Sequence, residues 1–228
     1  NGGVAGLVTT ARVAFTGSNL NYGNHFYTHI FDKVDGRPIT IGEINRLAKN
    51  NSGGAINSLN MLYVLGDPAM RLKIPEYKVV TDSINGVDVA SFTDTLRALT
   101  RVTVVGHIEN SNGSRLNDFS GTLLPSIYDK KIVSRTLQND AGSGYFEFEE
   151  QKNVLFKGNV TVHNGGFKFS FMLPKDINYA YGNGKFSYYA HGQMIDATGN
   201  YSNAIIGGMG SEILNDDEGP EIEVYMND

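Results

Sequence analysis

The stretch Tyr63-Val64-Leu65-Gly66-Asp67-Pro68-Ala69-Met70-Arg71-Leu72-Lys73-Ile74-Pro75 decides how this chain folds, because two compositions meet there. Upstream the pattern reads as helix and buried strand; downstream it reads as strands and turns alone. The apolar run Leu62 to Leu65 is short and stops at Gly66, which suits a buried strand ending in a turn. Asp67-Pro68 bars further pairing, since proline offers no amide hydrogen and pushes the residue before it out of the helical region. Pro75 then reads as a stiff join to a second domain.

Working back from that turn, Val4 to Thr10 is an apolar, β-branched run of the kind found in parallel sheets covered on both faces. It leads into Thr9 to Asn19, a mixed polar and aromatic loop. In an open α/β sheet such loops, at the carboxyl ends of strands, line the ligand cleft. Asn21 to Val34 has apolar residues at Tyr22, Phe26, Tyr27, Ile30, Phe31 and Val34, a helical spacing, with Gly36 as a stop. A second helix is expected from Thr40, with Glu43 three residues on to complete a capping box and Ile41, Ile44, Leu47 and Ala48 as its apolar face. The order is therefore strand, loop, helix, helix, strand. A unit of this size buries only a modest fraction of its surface and is expected to be marginal alone.

Working forward, the period changes to two. Arg101 to Ile108 alternates, Asn112-Gly113 supplies a turn, and Phe119 to Ile127 begins another strand. Val154 to Leu173 reads as two strands joined by His163-Asn164-Gly165-Gly166, with Phe167, Phe169 and Phe171 on one face. Tyr181 to Lys185 turns into Phe186 to His191. No helical pattern occurs from Lys78 to Asn203, so residues 76–211 are expected to form an all-β sandwich of immunoglobulin-like type. Residues 126–152 are too long and irregular for a strand pair of that fold and read as an insertion or extra hairpin. Residues 212–228 read as an acidic linker entering a further module.

The 228 residues carry a net charge of -5, and Asp216, Asp217, Glu218, Glu221, Glu223 and Asp228 account for all of it. Without a basic stripe the chain lacks the footprint of a nucleic-acid binder. No apolar run approaches the ~20 residues of a membrane helix. Cysteine is absent, which removes disulfides, thiolate metal sites and a cysteine nucleophile from these residues. His25 and His29 stand four apart on the first expected helix, but nothing nearby suggests a third ligand and no metal site is expected. The acidic cluster at Asp216 to Glu221 has no calcium-loop spacing and reads as a solvated linker. Tyr179, Tyr181, Tyr188, Tyr189 and Tyr201 suit a sandwich core edge as well as a sugar- or protein-binding face. No serine sits in a Gly-x-Ser-x-Gly context. No cofactor is called for.

Together, the strand and loop Gly3-Val4-Ala5-Gly6-Leu7-Val8-Thr9-Thr10-Ala11-Arg12 and the turn Leu65-Gly66-Asp67-Pro68-Ala69-Met70-Arg71-Leu72 resemble the last third of a gingipain-type cysteine peptidase domain. In that family a caspase-like α/β domain ends in a Gly-Asp-Pro turn and passes directly into an immunoglobulin-like domain. The resemblance implies an α/β remnant of a caspase-like domain at residues 1–75, followed by the sandwich. Phe186 to Ala190 and the tail from Asp217 to Asp228 place the likeness nearest the sortase-like branch found in type IX secretion of Bacteroidota.

That branch implies a surface endopeptidase with a Cys/His dyad. It removes C-terminal sorting domains from secreted cargo at the outer membrane surface and works with other secretion-system proteins. The family's nucleophile and histidine lie upstream of the strand at Val4 to Thr10, so no catalytic residue is assigned in this chain. The resemblance carries one substrate-binding residue across, Phe15, with Arg12 and Val13 beside it; the competing reading packs Phe15 on the first helix. A non-catalytic adhesion or scaffolding module is the alternative function. Val4 to Thr10 and Asn60 to Leu65 are expected to present open edges through which copies associate.

Overall fold

A computed structural model describes residues 6–53, 60–139, 142, 144–193 and 195–210. The acidic cluster and the linker lie outside the described residues. The chain divides into two compact units, Asn1–Ile74 and Pro75–Asp228.

The first unit runs β1 (Gly6–Thr10), α1 (Thr16–His29), β2 (Lys33–Val34), β3 (Arg37–Pro38), α2 (Ile41–Asn51) and β4 (Leu62–Gly66). β1 and β4 pair with each other antiparallel, Gly6 opposite Gly66 through Thr10 opposite Leu62. This corrects the parallel sheet expected from the apolar run at Val4 to Thr10. A single crossover helix returns a chain to the end where it started, but here α2 carries it across a second time, so β4 enters from the opposite end. It also corrects the strand's expected burial, because Leu62 alone is buried in β4.

α1 starts five residues before the expected Asn21 and stops five before Val34. Phe15 holds extended dihedrals at its N-cap, and Lys33-Val34 leaves the helix to form a short hairpin with Arg37-Pro38. The hairpin turns at Asp35 and Gly36, whose φ angles of 50° and 74° no helix continues through. Tyr22 and Phe26 face inward with Ala48, Leu62 and Val8. Tyr27 does not: it is 71% exposed, because a helix packed on one partner buries only one stripe, and Phe31, past the helix end, is 68% exposed.

α2 forms as its sequence demands. Thr40 is its N-cap, and the Oγ1 atom accepts from the Glu43 amide at 3.2 Å. Glu43 completes only half of the box, since its carboxylate takes the Arg46 guanidinium at 2.6 and 2.8 Å. Two further N-terminal amides of α2 are satisfied by the Gly-Asp-Pro turn: Ile41 N–H donates to Met70 O and Gly42 N–H to Pro68 O, both at 2.9 Å. The turn is itself closed by Asp67, whose Oδ1 accepts from the Ala69 amide at 2.8 Å.

The second unit contains β5 (Tyr77–Ile84), β6 (Val87–Asp88), β7 (Thr95–Ala98), β8 (Arg101–Glu109), β9 (Gly121–Tyr128), β10 (Ile132–Arg135) and β11 (Glu147–Glu150). It continues with β12 (Val154–Lys157), β13 (Val160–Val162), β14 (Gly166–Met172), β15 (Gly182–Asn183), β16 (Lys185–His191), β17 (Asp196–Tyr201) and β18 (Ile205–Met209). The main sheet runs β12-β9-β16-β17-β5-β8-β14, with β13 also on β9 and β6 on β5. Its two halves are joined only where β17 meets β5, a parallel pairing of two residues. The sheet curls back on itself, because Phe156 of β12 stacks on Phe169 and Phe171 of β14, the other end of the path. A three-stranded sheet, β15-β18-β7, lies beside it.

Alternation in β8 and β14 sends Val102, Val104 and Ile108 and the three phenylalanines into one core with Phe186, Tyr188 and Ile127. Opposite Phe167 stands Gly106, where a Cβ would lie 2.4 Å from the ring, so the glycine makes room for the aromatic. Ser126 to Tyr128 belong to β9, and the irregular stretch after them is the hairpin β10–β11, Ile132 opposite Glu150. At its base Asp129 and Lys130 are buried, with side chains 2% and 7% exposed. The Lys130 Nζ donates to Asp129 Oδ1 at 2.7 Å and to Asn178 O at 2.6 Å, and Gln151 Nε2 donates to Asp129 O at 2.6 Å.

Candidate functional site

β1 ends at Thr10 and the chain reaches α1 through Ala11 to Phe15, so the strand's own geometry delivers this loop to the sheet end. Arg12, Val13 and Phe15 all lie in it and all are exposed, Val13 at 95% and Phe15 at 78%. Phe15 therefore does not pack on α1. An aromatic ring left in water at a helix N-cap contributes nothing to the core, and it stands ready for contact.

Beside the loop is a cleft of about 400 Å³ within the first unit. Val8, Thr9 and Thr10 form one wall, Leu62 the floor, and Asn19, Leu20, Asn24 and Tyr27 of α1 the opposite wall. Tyr22 and Phe26 close its inner end. The Tyr22 hydroxyl donates to Asn45 Oδ1 at 2.7 Å, and burial pushes its pKa up to about 12, so it enters the cleft as a neutral phenol. No Asp, Glu, Lys, Arg or His lines the cleft among the described residues.

Sequence reasoning selected the loop but missed the helix wall. Leu20 and Tyr27 stand seven residues apart on one helical stripe, but starting the helix at Asn21 excluded Leu20.

The histidine pair does not form a metal grip. His29 Nδ1 faces Asp32 Oδ2 at 2.6 Å and its Nε2 faces the Asn51 Nδ2 at 2.8 Å. An amide nitrogen only donates, so Nε2 accepts and Nδ1 carries the proton to Asp32. Among the described residues no group of three or more His, Cys, Asp or Glu could hold a metal.

Two larger cavities, each about 610 Å³, lie in the second unit. One adjoins the Asp129–Lys130 pair and the other follows the slit between β5 and β17. Among the described residues no serine or threonine lining either cavity is hydrogen-bonded to a base. The described residues likewise contain no helix long and apolar enough to cross a membrane.

Against known proteins, residues 1–73 match the model of Peptidase family C25, the gingipain family, and they include the whole of the cleft and the loop beside it. Over those residues the chain is similar to the gingipain family. Among solved structures, the chain is similar to dimeric latent PorU from Porphyromonas gingivalis, at 29% sequence identity and a TM-score of 0.59. The likeness covers 87% of this chain and 19% of that one, so the chain spans about a fifth of the length of that relative. No curated protein matches.

Proposed function

We propose that this chain is part of a surface cysteine endopeptidase of the type IX sortase kind, acting on secreted proteins that carry C-terminal sorting domains. The observation that carries the reading is the coincidence of the C25 match with the cleft between β1 and α1. On this reading residues 1–75 are the C-terminal part of a caspase-like peptidase domain, and Phe15, Arg12 and Val13 form a wall against the substrate. The β unit, immunoglobulin-like and spanning 76–211, serves as the scaffold part and meets other secretion-system proteins. The setting is the outer membrane surface or the extracellular space, consistent with the PorU likeness. The 228 residues hold no cysteine, so the nucleophile comes from elsewhere in the parent, and this chain alone is inactive.

The test is a peptidase assay on the full-length parent with a sorting-domain substrate, run beside its nucleophile-to-alanine variant and beside this chain. Cleavage by the parent alone is the expected result. A silent parent overturns the reading in favour of a non-catalytic adhesion or scaffolding module.

A further inference from the structure

The buried Asp129–Lys130 pair does more than close the base of a hairpin, because its hydrogen bonds run to residues that line the cavity of about 610 Å³ beside it. Lys130 Nζ donates to Asn178 O at 2.6 Å, the Asn178 amide donates to Asp129 Oδ2 at 3.3 Å, and Gln151 Nε2 donates to Asp129 O at 2.6 Å. Two carboxamides are thereby fixed on the cavity wall. Asn178 Oδ1 accepts from the Ala180 amide at 2.9 Å, which leaves its Nδ2 as a donor, and the bond from Gln151 Nε2 leaves Oε1 as an acceptor. A fixed donor and a fixed acceptor together suit a hydroxyl group, which is both.

Tyr181 lines the same cavity and is 68% exposed. Its ring lies along bare backbone: a Cβ built on Gly207 would stand 3.0 Å from Tyr181 Cδ1, and one on Gly208 2.8 Å from its hydroxyl. The two glycines let the ring rest against the chain while most of it stays in water, so little side-chain freedom is left to lose on binding. A fixed, exposed aromatic ring of this kind covers the apolar C–H face of a sugar. The charges at the cavity are closed into pairs, Lys130 with Asp129 at 2.7 Å and Lys131 with Glu149 at 3.1 Å. An ion would have to open one of those pairs to be neutralised, whereas a neutral polyol hydrogen-bonds to them as they stand. The volume falls within the roughly 300–1,000 Å³ of small-molecule sites.

We propose that this cavity of the second unit binds a neutral saccharide, with Tyr181 stacking on a sugar ring and Asn178, Gln151 and the neighbouring Asn183 taking its hydroxyls. The site stands on the geometry of the second unit and is independent of the peptidase reading.

Saturation-transfer NMR and calorimetric titration of the full-length parent test it, with methyl α-glucoside, methyl β-galactoside, N-acetylglucosamine, maltose and lactose as probes and glucuronate and glucosamine as charged counterparts. At least one neutral sugar should bind, and more tightly than either charged one. Tyr181→Ala should weaken that sugar about tenfold and Tyr181→Phe by less than about twofold, because the ring and not its hydroxyl makes the contact. Asn183→Ala should weaken it about fivefold, the worth of one hydrogen bond. That second variant leaves the packing of Tyr181 on the glycines untouched, so it gives the readout if Tyr181→Ala does not accumulate folded. Failure of every probe to bind overturns the proposal, as does tighter binding of a charged one. So does a bound sugar whose affinity neither alanine variant changes.

Discussion

Gly42 in the first turn of α2 donates its amide to the Pro68 carbonyl at 2.9 Å, and a Cβ built on it would stand 2.9 Å from both that oxygen and Pro68 Cβ. The Gly-Asp-Pro turn is thus a cap for the second helix as well as the end of a strand. Gly42→Ala sets two effects against each other. Alanine gains about 1 kcal/mol of helix propensity, whereas overpacking against backbone costs about 1–3 kcal/mol. The contact is with backbone and a proline ring, which cannot swing away, so a net loss of up to about 2 kcal/mol is expected. Calorimetry of the chain reads it; a melting temperature that rises would mean that the turn yields and does not cap.

Phe15 separates stability from function. Its exposure predicts that Phe15→Ala shifts unfolding by less than about 0.5 kcal/mol, the usual range for surface changes. If the ring packs on substrate, kcat/KM of the full-length parent falls by about tenfold or more, the worth of covering one aromatic side chain. Parallel denaturation and peptide-cleavage measurements decide it. A large stability loss with unchanged cleavage would assign the ring a folding role.

The Asp129–Lys130 pair makes a sharper demand. Asp129→Ala leaves an ammonium buried and takes the acceptor from the Lys130 and Asn178 amides at 2.8 and 3.3 Å. Removing one partner of a buried pair costs about 3–5 kcal/mol, whereas replacing both by apolar residues costs far less. Urea unfolding should therefore show Asp129→Leu/Lys130→Met to be more stable than Asp129→Ala. Equal losses would show that the pair is hydrated and that the hairpin base is not closed.

Alkaline pH probes the two cores separately. Burial raises the Tyr22 pKa from the usual 10 to about 12 and raises that of Tyr188 also, against a small opposing effect of its 2.9 Å hydrogen bond to Thr81. The folded state thus keeps both phenols neutral where the unfolded state ionises them. Their contribution to stability is complete below about pH 10 and is lost as pH rises toward and through 12. Tyrosinate absorbance and urea midpoints followed together should show the last tyrosines ionising with unfolding. Complete ionisation near pH 10 in a folded chain would contradict the burial of both rings.

Much of this was legible because it is local. Thr40 and Glu43 announced the start of α2, the alternation of Arg101 to Ile108 announced β8, and Gly66-Asp67-Pro68 marked the point where one kind of structure stops. The direction of the β1–β4 pairing was not legible, because it depends on how two helices carry the chain back. Nor was the true stripe of α1, since a helix whose apolar residues surround it shows which side is covered only when α2 packs on one of them.

The candidate site divides along the same line. Sequence by itself determined that these 228 residues hold no cysteine, and it marked the loop from Thr9 to Asn19 after the first strand, within which the family resemblance singled out Arg12, Val13 and Phe15. Only the tertiary structure decided that Thr10, Asn24, Tyr27 and Leu62 share one uncharged cleft, and that Asp129 and Lys130 are buried together. The reason is physical. Capping, turning and alternation are set by neighbours a few residues away, whereas a cavity's charge and a side chain's burial are set by whatever distant segment the fold brings against it.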